Sequence, residues 1–515
     1  MIQTIFRLAY QYYEFYFYLI AGSAASYAVY FFSKRKLFPV KEKTFILVGS
    51  FILDSAVAIV LRRYLRELNG MVHPGFSAVL LKVLISMLFG AMIMMLLAYI
   101  PAIAKKLMYT RFVDTYKYGL IIFAVTVAHL ITNAPGEIRD WVAVWYATDY
   151  SMGMGSRFFI GTVLRLFYDD YLDKQVAYNF CMVTLIIIIL VVSYLLNWAI
   201  VRSEESCRKA VAFLALCFVA SPGYISSMWT AENMGRLEAF CLLYSAVAVV
   251  IFQKVKNNYL RYVIVTVLSC LSVATYQGGL FMYYPIILML IVYDCLKEDD
   301  DCLQKRLLGL GSTVITGIAF LGFQFFSYTI YNDCYEMADA LAGKTNLFIE
   351  AEAIDLELFK PLTTIYYQFR DRYVPGTLRE GAFLALLLLL PIAFCMTAVY
   401  IKCHEYRKRA KMQILRSPYI YFIVFNFAVT PQFFLNIDWG RWMTAFNILL
   451  FFGVLYLAYQ RDKGMSEALY ALSAFVERNE FLCGAVVLYL AAMTKFTMVA
   501  YTSESFNLGN FLKIF

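Results

Sequence analysis

The chain has 515 residues, of which 62% are hydrophobic and 16% charged, with a mean hydropathy of +0.66 and a net charge of +9. Soluble domains carry about a quarter charged residues, so this composition excludes a water-soluble globular protein and makes lipid the main solvent. The basic excess sits in short clusters between apolar runs, the pattern of membrane-flanking loops, which excludes nucleic acid as its reason.

A span needs about 20 apolar residues. In chain order the candidates are 13–33, 44–61, 78–100, 118–134, 176–201, 210–225, 237–253, 262–278, 280–296, 307–331, 381–401, 418–435, 443–460 and 481–498. The fold expected is all-α: a polytopic transmembrane bundle of about 13–14 spans. Its parts are a prefix of about three spans (1–117), a core (118–331) with the polar loop 134–175, a loop region (332–380), and C-terminal spans (381–515). Lys34, Arg35 and Lys36 follow the first run, which reads as a retained span, not a cleaved signal. Inside spans two and three, Asp54 and Lys82 are expected to pair, and His129 in span four is expected to pack between helices.

Lys and Arg concentrate in alternate loops, 34–43, 101–117, 202–209, 254–261, 296–306, 402–416 and 461–480, which assigns that side to the cytoplasm. The polar loops 134–175, 226–238, 276–279, 332–380 and 437–442 then share the outer face. The eleven Cys are scattered, without a C-x-x-C, and there are three His. Neither a disulfide framework nor a His-based metal site is expected, and no cofactor. Ala342-Gly-Lys-Thr345 resembles the tail of a phosphate-binding loop, but Ala338 stands where its earlier Gly belongs.

The outer loops hold the candidate chemistry. Asp149 and Arg157 flank two glycines in Asp149-Tyr-Ser-Met-Gly-Met-Gly-Ser-Arg157, before the apolar-basic run Phe158 to Phe167. A carboxylate there suits a general base, an Arg suits a phosphate, and Gly permits close backbone approach. The run that follows is expected to lie along the interface. Arg441 and Asp438 lie in Ile437-Asp-Trp-Gly-Arg-Trp442, and Glu232 and Arg236 in Glu232-Asn-Met-Gly-Arg236-Leu-Glu238. Tyr276 and Gln277 begin Tyr276-Gln277-Gly278-Gly279. Asp140, Glu137 and Glu232 are rival bases to Asp149. Loop 332–380 mixes carboxylates, Glu357 among them, with Tyr366, Tyr367, Arg370 and Arg372, as a sugar-binding surface does.

With Asp149, Gly-Ser-Arg157 and Gly161 in an outer loop before a long apolar span, the chain resembles GT-C fold glycosyltransferases, in particular the bacterial O-antigen glucosyltransferase-like membrane proteins. The resemblance implies a GT-C-like bundle with amphipathic juxtamembrane helices and Asp149 as catalytic base. It departs from the family in having about three spans before the loop and no adjacent acidic pair. The expected function is transfer of a sugar from a polyprenyl-phosphate donor to a glycan or lipid acceptor, at the outer face of the cell (inner) membrane. Membrane lipid is the other partner, and nucleic acid is none. Two alternatives stay open: an O-antigen or capsular polysaccharide polymerase or ligase, and a non-enzymatic lipid-linked oligosaccharide flippase.

Overall fold

The computed structural model describes residues 111–493, apart from 134–135, 169, 222, 225–227, 229–232, 298–301, 360–389 and 436–438. Chain contacts separate Met1–Tyr116 with Leu508–Phe515 from Lys117–Asn507, and the second unit carries the features below. Spans 13–33, 44–61 and 78–100, the pair Asp54 and Lys82, and the site candidates Glu232 and Asp438 lie outside the described residues. So do residues 360–380 of the expected sugar surface and the side chain of His129.

Among the described residues the apolar runs form helices. In order these are α1 Arg111–Asn133, α2 Asp140–Ala147, α3 Phe158–Leu164, α4 Lys174–Arg202, α5 Arg208–Ala220 and α6 Glu238–Lys254. Then come α7 Asn258–Thr275, α8 Gly279–Met282, α9 Tyr284–Cys295, α10 Cys302–Phe325, α11 Cys334–Ala342 and α12 Ala351–Ile354. The last six are α13 Leu390–Arg409, α14 Pro418–Asn426, α15 Thr430–Leu435, α16 Trp439–Tyr459, α17 Lys463–Arg478 and α18 Glu480–Met493. Helix starts follow from local chemistry. Asp173, Asn257, Asp333 and Asp462 accept bonds from the opening amides of α4, α7, α11 and α17. Pro stands in the first turn of α9 and α14.

Among the described residues, four helices are long and apolar enough to cross a membrane: α4, α7, α10, and Arg441–Tyr459 of α16. Of these, α16 is the most enclosed, with 83% of its apolar window buried, and α10 the least, with 17%. Leu307, Leu310, Val314, Ile318 and Leu321 project outward from α10. At several expected spans the helix is shorter or interrupted. Span 280–296 breaks at Tyr283, and span 418–435 is divided by a 3-10 turn at Phe427–Val429. One expected loop, 461–480, is largely helix. The apolar face of α17, with Met465, Ala468 and Leu469, is buried, while Lys463, Glu467 and Arg478 lie elsewhere around it.

The polar connections gather at the end of the bundle where α4, α6, α9 and α16 begin. Gly153–Met154 pairs antiparallel with Tyr328–Thr329, and Ile330 N donates to Met152 O at 3.0 Å. Leu172 bridges to Thr345, whose hydroxyl donates to Leu172 O at 2.6 Å. These bonds join the loop after α2 to the segment after α10. Met337, Leu341, Ala353 and Ile354 enter the same apolar core as Trp145 and Phe158.

Candidate functional site

Helix α2 enters from Arg139, whose backbone N–H donates to Met234 O at 3.3 Å. Two turns on, the Tyr146 hydroxyl donates to Gly235 O at 2.8 Å. These two bonds clasp the turn that carries Arg236. Arg157 is placed by a third tie: its N–H donates to Ala274 O at 2.9 Å, at the end of α7. Its backbone is left-handed, φ 84°, a conformation that costs a side-chain-bearing residue roughly 1–2 kcal/mol.

Arg157 lies against two rings, 5.0 Å from the Trp145 centroid and 4.9 Å from that of Tyr276, and its Nη2 is 2.7 Å from Glu357 Oε2. Arg441, in the first turn of α16, pairs with Glu238 in the first turn of α6, both largely buried. Arg441 also feels the charges of Arg236, Arg157 and Arg139. Tyr276 is in the same neighbourhood. Burial pushes its hydroxyl up to about 12, Arg157 and Arg236 pull it down, and Glu357 pushes it up. Four guanidinium groups and two carboxylates therefore share one end of the bundle.

Three buried donors accompany them. Trp145 Nε1 and Trp442 Nε1 lie in rings that stack on Arg157 and Arg441, and Asn233 Nδ2 is three residues before Arg236. None finds an acceptor among the described residues. A buried donor without an acceptor costs roughly 1–3 kcal/mol, and an anion's oxygens can satisfy such groups.

No family model, curated protein or solved structure matches the chain.

Asp149 has a separate set of partners. It is 4% exposed. Its Oδ1 accepts from Ser151 N at 2.7 Å, and its Oδ2 from Arg165 Nη1 at 2.8 Å. Its guanidinium partner is thus Arg165, sixteen residues on, while Arg157 turns to Glu357. Tyr168 borders the pair: burial and then the Asp149 charge raise its hydroxyl, and Arg165 lowers it. A carboxylate has about four lone-pair positions, so these two bonds leave Asp149 with accepting capacity.

The glycines of this loop serve chain packing. A Cβ on Gly161 would lie 1.9 Å from Thr148 O, and one on Gly153, at φ 140°, would lie 2.2 Å from Tyr328 O. Gly161 thus lets α3 rest on the backbone just before Asp149. In the run after Arg157, Phe158, Ile160 and Leu164 are buried in protein, and Leu166 and Phe167 face outward.

Gln277 Nε2 reaches Phe323 O at 3.4 Å, which ties the turn to α10. The rival bases Glu137 and Asp140 are exposed at the start of α2. Sequence reasoning gave no role to Arg139, Arg165 or Glu238. Arg139 precedes α2 with no motif around it, and Arg165 is the one basic residue of the run Phe158 to Phe167. Glu238 did carry a signal, an acid in the first turn of an apolar helix, since such a charge needs a partner at that depth.

Proposed function

We propose that this protein is a multi-pass glycosyltransferase of the cell membrane, using a polyprenyl-phosphate-linked sugar at the outer face. The observation that carries the reading is the convergence of Arg139, Arg157, Arg236 and Arg441 beside Tyr276, where long apolar helices begin. Guanidinium groups bind phosphate through paired N–H donors. In a site walled by apolar helices their field is screened less than in water. The unaccepted donors of Trp145, Trp442 and Asn233 favour the same kind of ligand.

In this reading the arginines hold the donor phosphate, and the Tyr276 hydroxyl, protonated at neutral pH, donates to one of its oxygens. The acceptor hydroxyl oxygen forms a bond to the anomeric carbon. The bond from that carbon to the phosphate oxygen breaks, and its electron pair leaves with the phosphate. The hydroxyl proton passes to a carboxylate. Asp149 fills that role, oriented by Arg165 and the Ser151 amide. A positioned base contributes roughly 10²–10⁴-fold. The fold is then GT-C-like, with the cap built from loops 134–175 and 332–359.

Transfer of labelled sugar by the purified protein in proteoliposomes, from polyprenyl-phosphate donors, tests the reading. Wild type is expected to transfer, and Asp149→Asn to lose at least about a hundredfold of the rate. Glu357→Gln is the control for the carboxylate nearest Arg157. If that variant loses the rate and Asp149→Asn keeps it, Asp149 is not the base.

A further inference from the structure

An apolar cavity of about 670 Å³, counting its open mouth, runs inside the bundle between α4, α5, α6, α9 and α16. Its two ends differ. Near the arginine cluster it is closed by Tyr224, Leu242 and Ile448, all less than 5% exposed. At the far end its lining becomes partly exposed at Leu195, Gln253 and Tyr459. The lining is thus least enclosed towards the end away from the candidate active site. On α16 it runs from Ile448 to Tyr459, a rise of about 17 Å.

Three cations lie within three residues of the lining residues Ala199, Gln253 and Tyr459 at that end. Lys254 follows Gln253, and its Nζ is 5.0 Å from the Trp198 ring centroid. Arg202 covers the same ring at 5.1 Å. Arg461, two residues after Tyr459, donates from Nε to Arg202 O at 2.7 Å. All three are exposed. They also end α4, α6 and α16, and cations at helix carboxyl ends complement the helix dipole. That accounts for the charges but not for an apolar cavity beneath them.

We propose that this cavity binds one chain of an anionic phospholipid from the leaflet on that side, with the lipid phosphate on Arg202, Lys254 and Arg461. The cavity's lining is apolar except for Gln253 and the tyrosine hydroxyls, so it suits a hydrocarbon chain. Cations near its less enclosed end select a negative headgroup. The proposal does not depend on glycosyl transfer.

The test is retention of lipid by the purified protein, released from nanodiscs of equal phosphatidylglycerol and phosphatidylcholine and weighed intact by mass spectrometry. Wild type is expected to keep phosphatidylglycerol in preference. Arg202→Gln, Lys254→Gln and Arg461→Gln are each expected to lower that preference roughly fivefold, as for a cation near a charged leaflet. Ala246→Trp, or Val249→Phe should the first not fold, fills the cavity and is expected to abolish retention of either lipid. Lys174→Gln, at the exposed start of α4, should change nothing here. Equal retention of the two lipids overturns the proposal, as does unchanged preference in the triple charge variant. So does a thermal stabilisation by inorganic phosphate alone as large as that by phosphatidylglycerol.

Discussion

Arg157 sits at φ 84°, where glycine would be relaxed and a side chain is strained. The residue is held there by its own contacts: the faces of Trp145 and Tyr276, the Glu357 carboxylate, and the backbone bond to Ala274. The contacts with these two buried rings are worth about 1 kcal/mol each, and the ion pair up to about 1 kcal/mol. Arg157→Ala removes all of that and keeps the backbone strain, so it should cost about 2–3 kcal/mol. Arg157→Gly loses the same contacts but relieves roughly 1–2 kcal/mol of strain, partly offset by the greater freedom of an unfolded glycine. The glycine variant should therefore be about 1 kcal/mol more stable than the alanine variant, and both should bind donor poorly. Thermal melts in detergent and titration with a polyprenyl-phosphate sugar measure the two quantities. An alanine variant as stable as the glycine variant, or a glycine variant that binds donor like wild type, would refute the reasoning. The first outcome removes the strain, and the second removes the arginine from the site.

Glu238→Gln should lower the melting temperature, because breaking a buried pair costs about 3–5 kcal/mol. It should also tighten donor binding, because Arg441 loses its competing carboxylate; weaker binding in an intact variant contradicts that account. Gly161→Ala forces α3 away from Thr148 O, so transfer should fall with a stability cost of about 1–3 kcal/mol, checked by paired melts and rates. The Tyr276 hydroxyl titrates near 12 in the folded protein and 10 when free. Its contribution to stability is therefore full below pH 10 and is lost as pH rises towards 12. The difference in phenolate absorbance between wild type and Tyr276→Phe should appear only at the upper end of that window.

Sequence pattern carried the helices further than the contacts. The apolar runs at 174–202, 258–275, 302–325 and 441–459 were legible because composition alone marks them. The breaks at Tyr283 and at Phe427–Val429 were not, since apolarity continues through them. Arg441 stood out because Trp442 and a long apolar helix follow it. The partner of Asp149 could not be read, because Arg165 reaches back across a 3-10 turn and a short helix that have no periodic signature. Glu357 was one acid among many in its loop. Only the docking of residues 328–345 onto the loop after α2 picks out that segment.

The central claim is that the gathered guanidinium groups hold the phosphate of a lipid-linked sugar. Equilibrium binding of a polyprenyl-phosphate sugar to the purified protein, against its Arg236→Gln and Arg441→Lys variants, measures this directly. Saturable binding that weakens about tenfold or more in each variant, at unchanged melting behaviour, is the predicted result. Binding of equal strength in all three proteins, or none in the wild type, contradicts the claim.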